Sequence, residues 1–592
     1  MDDTSPPKRA PRVPLAVSGI QVNFCKNPRC MNFGRPASPD VQSRGRGAMD
    51  GNQDTYRILG ASRKRTNLGC NLCGETPPLK SNLAISEELI RLSRYLEPNQ
   101  IPSCPAESCP NHSVNILVPK AYYSFGKTKS GSQRYRCREC GVTFAVGGAT
   151  IRQKRPEINE TVFKFLVNKM PMNRIMEVAG ISASTLYGKI DFIHQQCLSF
   201  VASHERRFPD LPIRRLYLSV DRQDHMLNWK AANDKRNVIL SAVGCADNKT
   251  GYVFGIHVNY DASLNAERVE REALEFGDNS QRTPFRRYAR VWLAQDYMES
   301  LEKNVKLKAA KRRLRDNIQA EYDDSVDRED IEASEAQTFE TGLPYAGMQV
   351  HSEYTMYAHF LLLKRLLGNV EKVRFFLDQD SGIRAACLSA FWPDILEKRC
   401  DAFYVRVNNR LTVNMKRRLK ADSNKELDAF RATSSAYTDL TDRELRHVVI
   451  KERLQELVNI GKWNDRWLFY PFPDMSEPEK AICWLTDLQD HSYDADHLAW
   501  LYSKGTLHGI DRFFMQTRRR LSLLERPISS ASGEGRKWYG YNPYNPAMVG
   551  KMLDIFRVFY NYIEAGKDKM TPAMRMGLMS SPSVYINVLE TT

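Results

Sequence analysis

Residues 214–221 read RRLYLSVD, a compact run of strand-forming residues that meets an acid at Asp221. Two similar runs follow closely, RNVILSAVGCAD at 236–247 and GYVFGIHVNYD at 251–261, and Asn248 to Gly251 between them has hairpin turn chemistry. This spacing predicts three antiparallel strands, the first ending in acids. Beyond a charged tract, YTMYAHFLLLKRLLG (354–368) has the pattern of a helix, and VEKVRFFLDQD (370–380) that of a strand ending at Asp378 and Asp380. GIRAACLSAF (382–391) then reads as a helix and DAFYVRVNN (401–409) as a strand.

Three antiparallel strands, a helix and a fourth strand with a terminal acid is the element order of an α/β RNase H-like domain. There the first and fourth strands are neighbours, so Asp221 and Asp378 are expected to converge. Carboxylates placed in this way suit a pair of Mg²⁺ or Mn²⁺ ions, hard cations that take oxygen ligands, on either side of a phosphodiester. A third acid is expected from HGIDRFFMQTRRRLSLLERP (508–527). In that stretch Ile510, Phe513, Phe514, Thr517, Leu521 and Leu524 recur at helical spacing and Pro527 supplies the stop. Asp511 opens this helix, and Arg518 lies on nearly the same side. Asp224, Asp380 and Glu525 are the alternates, Glu525 because it shares the helical stripe of Asp511. Each Asp is also readable as a cap or turn residue.

The N-terminal part carries a different signal, written twice. Cys25, Cys30, Cys70 and Cys73 form one quartet and Cys104, Cys109, Cys137 and Cys140 a second, so eight of the thirteen cysteines fall into sets of four. Four is the ligand number of a closed structural zinc site. Each copy opens on Cys, a proline-containing spacer, Cys and Asn (CKNPRCMN, CPAESCPN). Each continues into a tyrosine and glycine stretch (TYRILG, AYYSFG) and closes on Cys-x-x-Cys-Gly. Between them ISEELIRLSRYL is expected to form a short helix. The remaining cysteines, Cys197, Cys245, Cys387, Cys400 and Cys483, read as buried small hydrophobes.

Charge follows the cysteines. The chain of 592 residues carries a net +16, and residues 1–155 hold 24 Lys and Arg against 11 Asp and Glu, a net +13. Such a concentration is the footprint of a phosphate-backbone reader. Arg134, Arg136 and Arg138 alternate with aromatics around the second knuckle. Just beyond, Asn173 to Ala179, a turn at Gly180 and an N-cap at Ser182 have the punctuation of a helix-turn-helix. Ser184, Thr185, Tyr187 and Lys189 are its candidate DNA-facing residues.

Composition sets the limits. Hydrophobic residues make up 42%, no run is long enough to span a membrane, and MDDTSPPKRAPRVP lacks the apolar core of a signal peptide. A cytoplasmic, nucleoid-associated protein is expected, and without a Walker-type loop no nucleotide cofactor is. The expected organisation is a first zinc module with linker helix (1–95), a second zinc module (96–155) and a helix-turn-helix domain (156–210). A catalytic domain (211–530) with insertions at about 276–345 and 410–462 follows, then a helical tail (531–592).

YYSFGKTKSGSQRYRCRECGVTF (122–144) resembles the zinc module of bacterial insertion-sequence DDE transposases, where it precedes a helix-turn-helix and an RNase H-like domain. FFLDQDSGIRAACLSAFWPDIL is similar to their second-acid region, with Asp378 in the catalytic place. HGIDRFFMQTRRRL is similar to their third-acid helix, where Lys or Arg commonly follows the acid by seven residues, as Arg518 follows Asp511. The resemblance implies two structural Zn²⁺ ions, catalytic Mg²⁺ or Mn²⁺, double-stranded DNA (element ends and target) as partner, a homo-oligomer, and strand cleavage with strand transfer. The extra zinc module, the insertions and an Asp where the family usually has Glu are departures. They leave two alternatives: a catalytically inactive, domesticated DNA-binding regulator or architectural protein, and a metal-dependent nuclease without joining activity.

Overall fold

The computed structural model describes residues 11–39, 55–60, 66–97, 102–116, 118–128, 133–146, 150, 153–228, 233–302, 313–327, 337–408, 410–461, 463–488, 493–525 and 540–590. A hairpin of β1 (Tyr56–Leu59) and β2 (Asn67–Cys70) leads into α1 (Asn82–Ser93). An antiparallel three-stranded sheet of β3 (Tyr122–Lys127), β4 (Gln133–Cys137) and β5 (Thr143–Val146) follows, then α2 (Asn159–Leu166), α3 (Met172–Ala179) and α4 (Ala183–Glu205). Next come β6 (Arg215–Leu227), β7 (Val238–Asp247) and β8 (Val253–Val258). The short β9 (Tyr260–Asp261) pairs with β10 (Met348–Gln349), and α5 (Ala266–Glu275), α6 (Ala294–Glu302) and α7 (Leu314–Asp327) lie between those two strands in sequence.

The second half alternates. It comprises α8 (Ser352–Leu366), β11 (Lys372–Asp378), α9 (Ser381–Leu396), β12 (Cys400–Val407), α10 (Val413–Arg431) and α11 (Asp442–Arg453). After these come β13 (Val458–Ile460), β14 (Asp465–Phe469), β15 (Lys480–Trp484), α12 (Ala495–Ser503), α13 (His508–Arg520) and α14 (Ala547–Val558), which runs on into a π turn at Phe559–Ile563.

Eight strands make one mixed sheet in the order β13-β14-β15-β12-β11-β6-β7-β8. β6, β11 and β12 are parallel to one another, and every other pairing in the sheet is antiparallel. Side chains alternate along a strand, so the two faces separate cleanly. Phe375 of β11 meets Phe360 of α8 and Phe391 of α9, with ring centroids 5.6 and 4.8 Å away. Phe376, its neighbour, faces the other way and packs with Phe403 and, through it, Tyr502 of α12. Ser219, paired with Phe376, shares that second face, and α13 lies along it.

Some expectations are revised. The first strand does not end at Asp221 but continues to Leu227, because β7 pairs with it as far as Val238. The second insertion contributes α10, α11 and β13, and the β13–β15 antiparallel extension, built partly from 458–460, widens the sheet beyond β12. The amphipathic helix stops at Arg520: Leu521 is extended and 522–524 forms a single 3-10 turn, so Glu525 leaves the stripe of Asp511. Pro527 and residues 303–312 and 328–336 of the charged tract lie outside the described residues. No helix among the described residues is long and apolar enough to cross a membrane.

The helices of 156–210 join the core through α4. Glu205 is fully buried and accepts hydrogen bonds from the Arg557 guanidinium (2.7 Å) and the Tyr252 hydroxyl (2.8 Å). A buried charge is tolerable only when paired in this way.

The first cysteine module is also fixed to the core. Phe24 meets Trp392 of α9 edge-on, and Trp392 lies so close beneath Gly34 that a Cβ there would stand 2.3 Å from its ring. With φ at +73°, that position requires glycine twice over. Arg29 pairs with Asp487 (3.0 Å) and Arg384 of α9 with Glu75 (3.3 Å). Trp392→Ala should therefore destabilise the protein by about 2–3 kcal/mol in denaturant unfolding and leave the zinc content unchanged; a loss below about 0.5 kcal/mol would mean that this contact does not hold the module.

Candidate functional site

The parallel ladder pairs Val220 of β6 with Leu377 of β11, so Asp221 and Asp378 stand one residue further along adjacent strands. Both project from the face that α13 covers. Asp511, in the first turn of α13, completes a cluster of three acids whose charges act on one another. Burial is felt by all three. Burial and then the charges of Asp378 and Asp511 push Asp221 well above the ordinary carboxylate range. Burial raises Asp378 too, with Arg406 opposing and Asp380 adding to the rise. Asp511 is pushed up to about 6 by burial, by Glu477 and by Asp378, against the pull of Arg518.

Local structure explains why the helix sits so close. Gly244 is paired with Asp221 across β6 and β7, and a Cβ there would stand 2.7 Å from Ile510 Cδ1. The missing side chain lets α13 lie on the sheet. The Ser219 hydroxyl accepts from Ile510 N (3.0 Å), and Asn248 Oδ1 accepts from Gly509 N (3.0 Å). Glu477 accepts from Leu507 N (2.9 Å) and pairs with Lys480 (2.7 Å), which holds the entry to the helix. Glu477 and Arg406 were not foreseen: Glu477 lies in the polar loop before β15, and Arg406, though on an expected strand, carries no signal in spacing that links it to the acids.

The alternates have partners of their own. Asp380 caps α9, accepting from Gly382 N (2.7 Å) and Ile383 N (3.1 Å), and pairs with Arg222 (2.9 Å). Asp224 is exposed and accepts from the Ser241 hydroxyl (2.8 Å). Glu525 pairs with Lys169 (2.7 Å). Arg518 reaches across to β6 and donates to Gln223 Oε1 (2.6 Å).

Among the described residues, the sets of three or more His, Cys, Asp or Glu whose ligand atoms all lie within 4.8 Å of one another are the two cysteine quartets, so the acids form a looser group. Sulfur separations in the quartets are 3.4 Å (Cys25 to Cys73), 3.7 Å (Cys30 to Cys70), 3.3 Å (Cys104 to Cys140) and 3.7 Å (Cys109 to Cys137). A disulfide would need about 2.05 Å, whereas four thiolates at about 2.3 Å from one Zn²⁺ stand about 3.8 Å apart. Either quartet could hold zinc. Burial opposes ionisation of Cys137, yet N–H donors from Cys140 and Glu139 and the Asn111 amide bring it down to about 6.

The repeat extends into the surroundings of the sulfurs. The Tyr56 hydroxyl accepts from Cys25 N (2.9 Å) and donates to Asn32 O (2.9 Å); the Tyr122 hydroxyl accepts from Cys104 N (2.8 Å) and donates to Asn111 O (2.6 Å). Asn32 and Asn111 each donate to a knuckle sulfur, Cys70 and Cys137. The two modules differ outside. Each keeps a small hydrophobic cluster of its own, but Phe24 and Phe33 of the first belong to the main core.

Arg134, Arg136 and Arg138 share an open surface of the second module with Tyr123 (37% exposed) and Phe125 (41%). Their guanidiniums lie over the Phe125 ring (5.1 and 5.7 Å) and the Tyr123 ring (5.6 Å). In the helix pair, Gly180 is left-handed and Ser182 caps α4 through Thr185 N (3.3 Å). Ser184 and Tyr187 are exposed. Lys189 is not on that surface: its ammonium is buried and donates to Lys154 O, Arg155 O and Asn159 Oδ1.

No protein-family model matches the chain, and no curated protein does. Among solved structures it is similar to piggyBac transposase in a synaptic complex with hairpin DNA, at 8% identity over 75% of this chain and 72% of that one. The TM-score is 0.26, and a likeness that loose carries no argument.

A carboxyl whose folded pKa exceeds its unfolded value favours the fold while protonated, so its contribution is complete below about pH 4 and is lost as pH rises through about 6. Asp511→Asn should thus stabilise the zinc-loaded protein without added Mg²⁺ at pH 7.5 by about 1–3 kcal/mol, with the gain fading toward pH 4. Equal thermal shifts at both pH values would exclude charge crowding as the cause. Metal analysis should find two equivalents of zinc per chain. Cys70→Ser and Cys137→Ser should each lose one equivalent, but Cys70→Ser alone should lower the unfolding temperature of the core.

Proposed function

We propose that the protein is a DNA-binding, metal-dependent polynucleotidyl transferase that cleaves and joins strands as transposases do. The observation that carries this reading is the meeting of Asp221, Asp378 and Asp511, from segments far apart in sequence, on one face of the sheet. The strand order β8-β7-β6-β11-β12, with β6, β11 and β12 parallel, supports an RNase H-like domain. The basic, aromatic surface of the second module and the exposed start of α4 support a DNA-binding half.

The residues fit Mg²⁺ or Mn²⁺. Three oxygen-donor side chains whose charges repel one another gain most from a cation, and a looser group suits two ions about 4 Å apart better than one. Ions bound there would activate the attacking oxygen and stabilise the leaving one. Asp221 and Asp378 are held rigidly by the ladder, and α13 delivers Asp511 through its anchors on Ser219 and Asn248. Arg406 moderates the negative charge at Asp378 and Arg518 that at Asp511. Joining two DNA ends requires more than one copy of the chain, so an oligomer is part of the proposal.

The test is a cleavage and strand-transfer reaction on duplexes spanning the DNA that flanks the protein's own gene, with Mg²⁺ or Mn²⁺. Wild type should cut and join, while Asp221→Asn and Asp378→Asn should bind equally well but lose at least about 100-fold in rate. Binding without any reaction would establish the silent DNA-binding protein instead, and cutting without joining the nuclease. Activity surviving in Asp378→Asn would remove that residue from the site.

A further inference from the structure

On the flank of α13 turned away from the acids lies a groove of about 230 Å³, bounded by the turn from β7 to β8, by α13 and by the π turn after α14. Lys249, Arg512, Arg520 and Arg575 line it, against the single acid Glu564, which is already paired with Arg520 (3.1 Å). Arg575 is likewise engaged, with Asp568 (2.7 Å). Lys249 and Arg512, both exposed, have no ion-pair partner among the described residues.

A further group points the same way. Tyr560 is 8% exposed, its ring packed against Phe513 and Phe556, yet its hydroxyl has no hydrogen-bond partner among the described residues. It lines the groove close to Arg512 and Arg575, whose charges act on it directly. Burial raises its pKa despite those guanidiniums, so it remains a hydrogen-bond donor. With no partner inside the described protein, that hydroxyl is left to donate to whatever occupies the groove. Cations and a phenolic O–H with little local acceptor capacity call for an anion.

We infer that this groove binds the phosphate backbone of the DNA strand as it leaves the acidic cluster, with Lys249 and Arg512 neutralising phosphates and the Tyr560 hydroxyl donating to a phosphate oxygen. The inference rests on the proposed DNA-processing function. The groove and Asp511 are on opposite flanks of one helix, about 10 Å across, a span a strand covers within a few nucleotides. Arg512 and Arg520, eight residues apart, extend the positive flank by about 12 Å along the helix. An elongated polyanion uses that length, and an isolated phosphate does not.

The test compares salt dependence of duplex binding by full-length, zinc-loaded protein. The double variant Lys249→Ala/Arg512→Ala should reduce the slope of log K against log salt by about 2, the release expected for two phosphates. Tyr560→Phe, which keeps the ring packing, should weaken binding severalfold without shifting thermal unfolding. Arg138→Ala on the second module serves as the control. A lowered slope in Arg138→Ala with no change in the double variant would overturn the groove and leave the DNA-binding reading intact. Absence of salt-dependent binding by wild type would overturn both.

Discussion

Three carboxylates share one small region of the sheet, and the cost of burying them side by side is the constraint that the rest of the core must withstand. Like charges at close range raise one another's proton affinity and destabilise the fold that holds them. Here the cost is met by stiff supports: a parallel ladder between β6 and β11, a helix seated on a strand where glycine removes the obstacle, and a buried Glu477–Lys480 pair at the entry to that helix. None of these supports is itself a candidate ligand. Together they leave Asp511 little freedom to relax away from Asp221.

The part of the site that was legible in sequence was the part written in short apolar runs with acids close by. Asp221 and Asp378 could be paired from element order alone, and Asp511 from helical spacing. The supports were not legible, because Ser219, Gly244 and Glu477 are unremarkable until pairing brings them to α13. DRWLF and KAICW, the cores of β14 and β15, are each five residues long and sit between polar turns, which is too little for periodicity to separate strand from loop. Lys189 shows the opposite failure: a lysine on an amphipathic helix reads as solvated, but the carbonyls of Lys154 and Arg155 and the amide oxygen of Asn159 accept its protons inside the protein. The helix of 508–520 ended early because Leu521, Leu523 and Leu524 are buried by packing in an extended and 3-10 conformation, which the same apolar spacing also permits.

The two cysteine quartets were the plainest feature of the chain, and the structure separates what they have in common from what they do. Both use a tyrosine hydroxyl to tie the first ligand's backbone to an asparagine, and both use that asparagine's amide against a knuckle sulfur. Such outer contacts orient ligands and tune them. Outside this frame the modules part: one is cemented to α9 through Trp392 and Arg384 and to the end of β15 through Asp487, and the other keeps its arginines and aromatics in the open.

That division bears on how each copy is free to vary. In the docked copy, outward positions answer to the shape of α9, so a change at Arg29 or Gly34 calls for a matching change at Asp487 or Trp392. In the open copy, outward positions face no neighbouring element among the described residues. Relatives of this protein should therefore show paired substitutions around the first quartet and independent, charge-conserving ones around the second, while the tyrosine and asparagine frame stays the same in both.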